Sequence, residues 1–303
     1  MYLGIDFLVD LERRPFVVDV NIGLPGGATE IDRIHRVRHG RPSDIFSQIE
    51  TASRAVYGLP FSSYLESLSF LESLKPFKLW IDGYGGRPEV IPSALRLEDK
   101  WVQYQVLRDI APLPATEPFR PGGEKTAEAF LARFRPAVLK RRLGRGGRGF
   151  KIVRTLGDLA GHNGQDDPRL LQAYVESRLE GYVFSVRVLA FGGRCLGMHA
   201  SLAAADISSD GILAEVVTGP RFALDGLVRE TVHFDEKTWE AELWFHGDTP
   251  DYLHTNLYED DIAMASVVVP DGFAKEISGI AIRIERTYDA SDFSRLPRAC
   301  FEE

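Results

Sequence analysis

The 303-residue sequence has only two cysteines, Cys195 and Cys300, and no run of eighteen apolar residues. Two cysteines so far apart cannot build a disulfide framework or a thiolate zinc site, so we expect a reduced, cytoplasmic protein. The missing apolar run and the lack of a basic leader argue against membrane spanning and secretion. The seven histidines show no ligand spacing, and no G-x-S-x-G elbow is present, so nothing supports zinc or nucleophilic hydrolase chemistry.

Positive charge is also scarce, because 36 Lys and Arg stand against 44 Asp and Glu, a net charge of -8. An acidic chain disfavours nucleic acid as the main partner, since counterion release needs a broad cationic surface. One segment departs from this balance. Between Arg133 and Arg154 there are nine Lys or Arg and no Asp or Glu. Such a segment is typical of an anion-binding site, and a solvated basic hairpin or an RNA contact is the alternative reading.

The first strands are predicted to form a β-hairpin, residues 3–10 and 15–21, joined by a polar turn and followed by a Gly-rich loop. If the turn is symmetric, Asp6 faces Asp19 across the ladder and Asn21 lies on the same face. These are hard oxygen ligands, which Mg²⁺ prefers; a solvated charged face is the alternative. The other face of this predicted hairpin is wholly apolar: Ile5, Phe7, Val9, Phe16, Val18 and Val20.

A glycine-rich segment, residues 144–149, separates two predicted strands, 137–143 and 150–155. The spacing of its glycines fits G-x-G-x-x-G, but a dinucleotide fold needs a helix where the second strand stands, and no Gly-Lys-Ser/Thr follows for a P-loop. The pattern therefore favours a flap whose backbone N–H groups cover phosphates, with Lys140 on the strand that enters it.

The remaining pattern predicts an α+β protein. Asp99 is expected to cap a helix that begins with Lys100, and Gly192-Gly193 is a strong hairpin signal. Further helices are predicted over residues 43–57, 62–74 and 271–288, and further strands over 77–82, 170–175 and 182–191. The basic stretch 33–41 is a candidate for holding an acidic substrate, although a solvated charge run is the more common situation.

Together these pieces resemble the ATP-grasp superfamily of carboxylate ligases, which includes glutathione synthetase and the ribosomal-protein glutamate ligase. The Gly4-Ile5-Asp6-Phe7 and Val18-Asp19-Val20-Asn21 segments match the closing metal-binding strands of that family most specifically. The resemblance implies a metal site of Asp6, Asp19 and Asn21. It also implies that Ser185-Val186-Arg187 brings an arginine to the transferred phosphoryl, while Thr255-Asn256-Leu257 resembles a later motif of the glutathione synthetase branch.

The resemblance likewise implies an ATP site. Lys100 and Lys140 would bind phosphates, with Lys140 and Arg187 also acting in catalysis. No acidic residue stands where the family holds the ribose, so Glu176 or Glu180 is the candidate, and Ser185 replaces the usual acidic neighbour of the arginine. The residues expected to contact the nucleotide are Lys100, Lys140, Gly144, Gly146, Gly147, Gly149, Gln172, Ala173, Tyr174, Val175 and Glu180.

The closing strands stand first here, whereas in the family a helix such as 271–288 leads into them. We therefore predict a circularly permuted ATP-grasp fold with a short αβ first domain, which requires that the helix lie near the first strand. The expected domains are metal-binding strands (1–32), a small substrate-side αβ domain (33–98), a subdomain with the glycine flap (99–169), and a subdomain with the hinge and central sheet (170–303).

The family implies Mg-ATP as cofactor and a reaction in which a small-molecule or peptide carboxylate is phosphorylated and an amine then attacks the acyl phosphate. An acceptor other than an amine, and a nucleotide- or RNA-binding regulatory protein without catalysis, are the alternatives. Neither a membrane nor nucleic acid is an expected partner, and a homodimer is left open.

Overall fold

The computed structural model describes residues 1–22, 25–63, 99–120, 122–142, 150–161, 168–179, 182–204, 227–235, 239–246, 265–268 and 271–290. These residues hold both helices and strands, and their strand pairs are antiparallel, which confirms the α+β class. The strands are β1 (Leu3–Val9), β2 (Pro15–Ile22), β3 (Thr116–Phe119), β4 (Ala137–Arg141), β5 (Lys151–Val153), β6 (Arg169–Ala173), β7 (Arg178–Leu179), β8 (Tyr182–Phe191), β9 (Arg194–Ala204), β10 (Leu227–Asp235), β11 (Trp239–His246) and β12 (Ala265–Val268). The helices are α1 (Ala28–His39), α2 (Ile45–Tyr57), α3 (Lys100–Leu107), α4 (Glu124–Arg133) and α5 (Asp271–Ala290).

Within the described residues the strands form two sheets. The larger has eight strands in the order β10-β11-β12-β9-β8-β1-β2, with β7 pairing against the start of β8. The smaller has four strands in the order β3-β6-β4-β5. Strand β1 is therefore flanked by β2 and β8, and β2 is an edge of the large sheet.

The β1–β2 hairpin contains a β-bulge that the sequence pattern did not predict. Val9 pairs with Pro15 and Phe7 with Val17, but Asp6 pairs with Asp19, so Val18 has no partner in β1. The bulge moves Val17 into the core, where it is 2% exposed. The prediction that Phe16 and Val18 belong to the apolar face was wrong, because one inserted residue reverses the alternation that follows it.

Helix α5 covers one face of the large sheet. Its buried side chains recur at helical spacing and pack against the apolar residues of β1 and β8 in a single cluster. Each buried isoleucine of such a helix stabilises the fold by roughly 1.5–3 kcal/mol. The helix residues in this core are Ile277, Ile280, Ala281, Ile284 and Tyr288. The prediction that this helix lies against the first strand is confirmed.

Helices α1 and α2 cover the opposite face. Ile45 and Ile49 of α2 pack with Tyr2, Leu189 and Phe191 of the sheet, and Ile31 of α1 lies against this cluster. Helix α2 was predicted, whereas α1 was not, because the three arginines and two histidines of α1 obscure its narrow apolar stripe in the sequence pattern.

The small sheet packs against α4, with Phe130, Ala127 and Leu171 in its core. Helix α3 joins this unit to the large sheet, since its Leu107 is buried in the core shared with α5. None of the helices in the described part of the chain combines the length and hydropathy that crossing a membrane requires.

Some predicted elements lie outside the described residues, namely the helix at 62–74 beyond its first two residues, the strand at 77–82 and the motif at 255–257. Strands β4, β5 and β6 are each shorter than predicted, and helix α4 was not predicted. The four domain boundaries remain predictions.

Candidate functional site

A row of polar side chains crosses four neighbouring strands on the face that carries α1 and α2. Asp19 of β2 is opposite Asp6 of β1, Asp6 is opposite Arg187 of β8, and Arg187 is opposite His199 of β9. The prediction that the two aspartates face each other is confirmed, although the bulge rather than a symmetric turn sets the register. The row therefore joins two acids to basic groups at the edge of the large sheet.

Arg187 forms a two-pronged ion pair with Asp6. Its Nε donates to Asp6 Oδ1 at 2.6 Å and its Nη2 donates to Asp6 Oδ2 at 2.7 Å. Asn21 Nδ2 donates to the same Oδ2 at 3.2 Å. Because a guanidinium matches a carboxylate in this fork geometry, the pair is held in one orientation.

Lys100 neutralises the second aspartate. Its Nζ donates to Asp19 Oδ1 at 2.8 Å, with the two side chains 13% and 25% exposed. Burial alone would raise the pKa of Asp19, but the charges of Lys100 and Lys140, the Lys100 hydrogen bond and Arg187 outweigh it and lower that pKa. A cation in the first turn of a helix opposes the helix dipole, so Asp19 compensates for an otherwise unfavourable position of Lys100.

Lys140 reaches the same place from the small sheet. Its Nζ donates to the carbonyl oxygen of Val18, the bulged residue of β2, at 3.1 Å. Burial and the charge of Lys100 lower the pKa of Lys140 to about 7, although Asp19 acts in the opposite direction. Two lysines distant in sequence therefore converge on Asp19 and its neighbour, as a site for a polyanion requires.

The described end of the glycine-rich loop after β2, residues 25–27, lies next to Arg187. Arg187 Nη1 donates to the carbonyl oxygen of Gly26 at 3.4 Å. A Cβ on Gly4 would lie 2.5 Å from Pro25 Cβ. Gly27 has φ +127°, and a Cβ there would lie 3.0 Å from His199 Cε1 and 3.3 Å from Arg187 Cδ. The loop can close over this row only with glycine at these positions.

Helix α3 ties the two sheets together at this point. Gln103 pairs with the edge of β2, since Val20 N donates to its Oε1 at 3.2 Å and its Nε2 donates to Val20 O at 2.8 Å. Val17 N of the same edge donates to the carbonyl oxygen of Pro112 at 2.9 Å. As predicted, Asp99 caps α3, accepting a hydrogen bond from Trp101 N at 2.9 Å. The edge that carries Asp19 is thus fixed relative to Lys100.

The residues expected to contact the adenine of the nucleotide lie in the connection between the two sheets. Gln172 and Ala173 end β6 of the small sheet, and Tyr174 and Val175 lead toward β7 of the large one. Gln172 Nε2 donates to Thr116 Oγ1 at 2.9 Å, and Ala173 N donates to Ala115 O at 2.8 Å. Burial raises the pKa of Tyr174, although Arg178 acts against it. This is the position of a hinge, and its role toward a nucleotide stays a prediction.

Several predicted residues are outside the described part of the chain: Gly144, Gly146, Gly147, Gly149 and Glu180. Glu176 is described, lies just after the hinge residues, and is exposed. Three residues beside the site were not singled out from the sequence: Gln103, Arg142 and His199. The Gly192-Gly193 turn places His199 near Arg187, but a second bulge, after Leu189, sets the actual pairing.

The donor set suits a hard metal ion bound together with a ligand. Among the described residues no group of three or more His, Cys, Asp and Glu could hold a metal. Asp6, Asp19 and Asn21 supply two carboxylates and one amide. Mg²⁺ is usually held by one or two carboxylates, with waters and phosphate oxygens completing its shell, so these residues fit Mg²⁺ bound with a phosphate ligand.

The fold and the site define an α+β protein in which the edge of a large antiparallel sheet carries a charged row that lysines of a second unit contact. No family model and no curated protein matches this sequence. Among solved structures the chain is similar to a RimK domain protein ATP-grasp from Sphaerobacter thermophilus DSM 20745, with 19% identity over 64% of this chain and 69% of that one, and a TM-score of 0.29. A likeness at this level assigns neither substrate nor reaction to this chain.

Proposed function

We propose that this protein is an ATP-dependent ligase of the ATP-grasp type, joining a carboxylate to an amine. The observation that carries the proposal is the convergence of Lys100 and Lys140 on Asp19, next to the fork of Arg187 on Asp6. Four strands from two sheets and one helix contribute side chains to this cluster. A cluster of buried charged side chains is typical of a functional site rather than of a structural core.

The charges of the cluster suit a metal–nucleotide ligand. Lys100 and Asp19 now neutralise each other, and a ligand that carries both a cation and phosphates offers each of them a new partner of opposite charge. Lys100 and Lys140 would then contact phosphate oxygens, and Asp6, Asp19 and Asn21 would hold Mg²⁺. The metal would supply charge neutralisation on the phosphates.

In this proposal Arg187 would contact the transferred phosphoryl group. In the proposed reaction a substrate carboxylate oxygen attacks the γ-phosphorus of ATP and ADP leaves. An amine then attacks the acyl carbon, phosphate departs with the C–O electron pair, and the amine loses a proton. Arg187 would hold the phosphoryl oxygens during the first step, since a guanidinium binds them in the same fork that it now forms with Asp6.

The order of the elements supports a permuted arrangement of this fold. Helix α5, near the end of the chain, packs on the face of β1, near its beginning. The ammonium group of Met1 donates to Glu285 Oε1 of that helix at 2.8 Å. In the proposal, α5 followed by β1 and β2 corresponds to one continuous segment of an unpermuted relative.

An ADP-release screen with Mg-ATP tests the proposal, using amino acids, dipeptides and polyamines as substrates. We expect ADP release that depends on adding both a carboxylate and an amine. Arg187→Met should abolish it, and Arg194→Met, at an exposed position on the same β8–β9 hairpin, should not. ADP release only with a thiol or hydroxyl acceptor would leave the fold assignment standing and replace the proposed amine acceptor. No turnover, with salt-sensitive RNA binding instead, would support the regulatory alternative.

A further inference from the structure

Behind the two lysines lies a buried ion pair. Arg142 Nη2 donates to Asp99 Oδ2 at 2.7 Å, and Arg142 Nε contacts both carboxylate oxygens at 3.1 and 3.2 Å. The side chains of Arg142 and Asp99 are only 5% and 1% exposed. A pair buried this deeply is costly to desolvate, and replacing such pairs with apolar residues is often neutral or stabilising. Stability alone therefore gives a weak reason for its presence.

The pair joins the two segments that carry the lysines. Asp99 directly precedes Lys100, and Arg142 stands two residues after Lys140. The backbone repeats the connection, because Lys100 N donates to the carbonyl oxygen of Arg142 at 3.0 Å. Asp99 also caps α3 through Trp101 N, so one carboxylate fixes the helix start and the end of β4 together.

We propose that Asp99 and Arg142 are positioning residues that set the separation of Lys100 and Lys140 for binding two neighbouring phosphate groups. The inference rests on the proposed function and adds to it. Arg142 is buried and paired with Asp99, so its guanidinium serves the placement of Lys100 and Lys140. Gln103 fixes the same helix to β2, which completes the placement of Lys100 relative to Asp19.

The direction in which Asp99→Asn changes phosphate affinity distinguishes a positioning role from a purely electrostatic one. Asp99→Asn removes a negative charge near a site for an anionic ligand, so Coulomb interaction alone predicts tighter phosphate binding. Loss of position predicts weaker binding, because contacts to two phosphates tolerate only small displacements. Asparagine remains a good N-cap, so the start of α3 is preserved.

The experiment measures the affinity of the full-length protein for Mg-ADP and for adenosine by calorimetry, at a temperature where each variant is folded by circular dichroism. We expect Asp99→Asn and Arg142→Lys to weaken Mg-ADP binding by about tenfold or more, with adenosine affinity unchanged. Arg142→Lys keeps the charge but cannot form the fork.

Asp10→Asn is the matched control. Asp10 is also buried, and it accepts bonds from Arg14 N at 2.8 Å and Arg14 Nε at 2.7 Å, but it lies at the far end of β1. Asp10→Asn makes the same change in net charge as Asp99→Asn, and it should leave Mg-ADP affinity within about twofold of wild type.

The outcomes are distinct. If wild type binds no Mg-ADP, the proposed function fails. If wild type binds and Asp99→Asn binds equally or more tightly, the positioning role alone is overturned. A fall in adenosine affinity equal to that in Mg-ADP affinity would also overturn it, because the effect would then be general. If Asp99→Asn does not fold, Arg142→Lys decides, and if neither folds the pair is a folding requirement and the positioning role is overturned.

Discussion

Each carboxylate of the site holds a cation, which is why two aspartates can face each other across a strand pair. Like charges directly opposite destabilise a ladder. Here Asp6 has Arg187 and Asp19 has Lys100. Lys140 is buried beside the charge of Lys100, and these two effects lower its pKa to about 7 although Asp19 acts in the opposite direction. Both aspartates of the site therefore have a cationic partner, whereas Lys140 hydrogen-bonds a backbone carbonyl oxygen.

Asp19→Asn should lower both stability and ligand binding. Without this carboxylate, Lys100 and Lys140 repel each other in a partly buried place, so the free energy of unfolding should fall by about 1–3 kcal/mol. The stabilisation given by Mg-ADP should disappear in thermal unfolding. The double variant Asp19→Asn with Lys100→Met should recover part of the lost stability without recovering Mg-ADP binding. A single variant as stable as wild type would contradict the pairing.

Lys140→Met should change how stability depends on pH. Because the folded protein binds the Lys140 proton more weakly than the unfolded chain, the stability of wild type rises between pH 7 and the ordinary lysine value of 10.5. Methionine removes this contribution. The variant should therefore exceed wild type by about 1.4 kcal/mol or more at pH 7, the value of one pKa unit, and by progressively less toward pH 10. Urea unfolding at several pH values measures it, and a difference independent of pH would refute the assignment.

At the scale of elements, one buried glutamate connects α5 to the turn of the β8–β9 hairpin. Glu285 Oε1 accepts from Gly192 N at 3.0 Å and its Oε2 accepts from Gly193 N at 2.9 Å. The residue is 1% exposed. This contact fixes the long helix relative to the two strands that place Arg187 and His199.

Glu285→Gln should destabilise the fold without affecting ligand affinity. The amide keeps one acceptor, so we expect a loss of about 1–3 kcal/mol of unfolding free energy. Glu276→Gln, at an exposed position of the same helix, should change stability by less than about 0.5 kcal/mol. Chemical denaturation compares the two, and Mg-ADP titration should give wild-type affinity for both. Weaker Mg-ADP binding in Glu285→Gln would show that the helix contact reaches the site.

The sequence predicted the elements whose signal is local. Alternation gave β1 and β8, the Asp cap gave α3, and the apolar spacing gave α5, because each of these follows from neighbouring residues. The bulge at Val18 could not be predicted, since the extra residue is stabilised by Lys140 from another sheet. Gln103 and Arg142 were missed for the same reason: their partners, Val20 and Asp99, are distant in the chain.

At the scale of the whole molecule, the site lies where two sheets meet. The large sheet supplies the acids and Arg187, and the smaller unit supplies Lys140, while α3 contacts both. The chain passes between the sheets through residues 174–177, where Ser177 Oγ accepts a hydrogen bond from Val9 N at 3.1 Å. A rotation about this connection would change the distance between Lys140 and the acids, so we expect ligand binding to depend on the relative position of the two sheets.

The permuted arrangement predicts that the two ends of the chain can be joined and the chain reopened elsewhere. A protein joined by a short Gly/Ser linker from Glu303 to Met1 and reopened after Gly58 should fold and bind Mg-ATP. Helix α5 already lies on the face of β1, and its Glu285 contacts the Met1 ammonium group. The break falls in an exposed stretch just after α2, whereas a break near Asp32 would cut α1, where Asp32 binds Arg36 and Ser43.

The matched control uses the same linker but reopens the chain after Ile49, in the middle of α2, where the side chain is 2% exposed. This break separates two halves of a packed helix, so we expect it to unfold or to lose several °C of thermal stability. Circular dichroism and calorimetry with Mg-ATP measure both proteins. Since the rejoined chain keeps every contact of Asp6, Asp19, Lys100 and Lys140, its affinity should stay within about tenfold of the parent. If the chain reopened after Gly58 were unfolded, or folded without binding Mg-ATP that the parent binds, the permuted arrangement would be wrong.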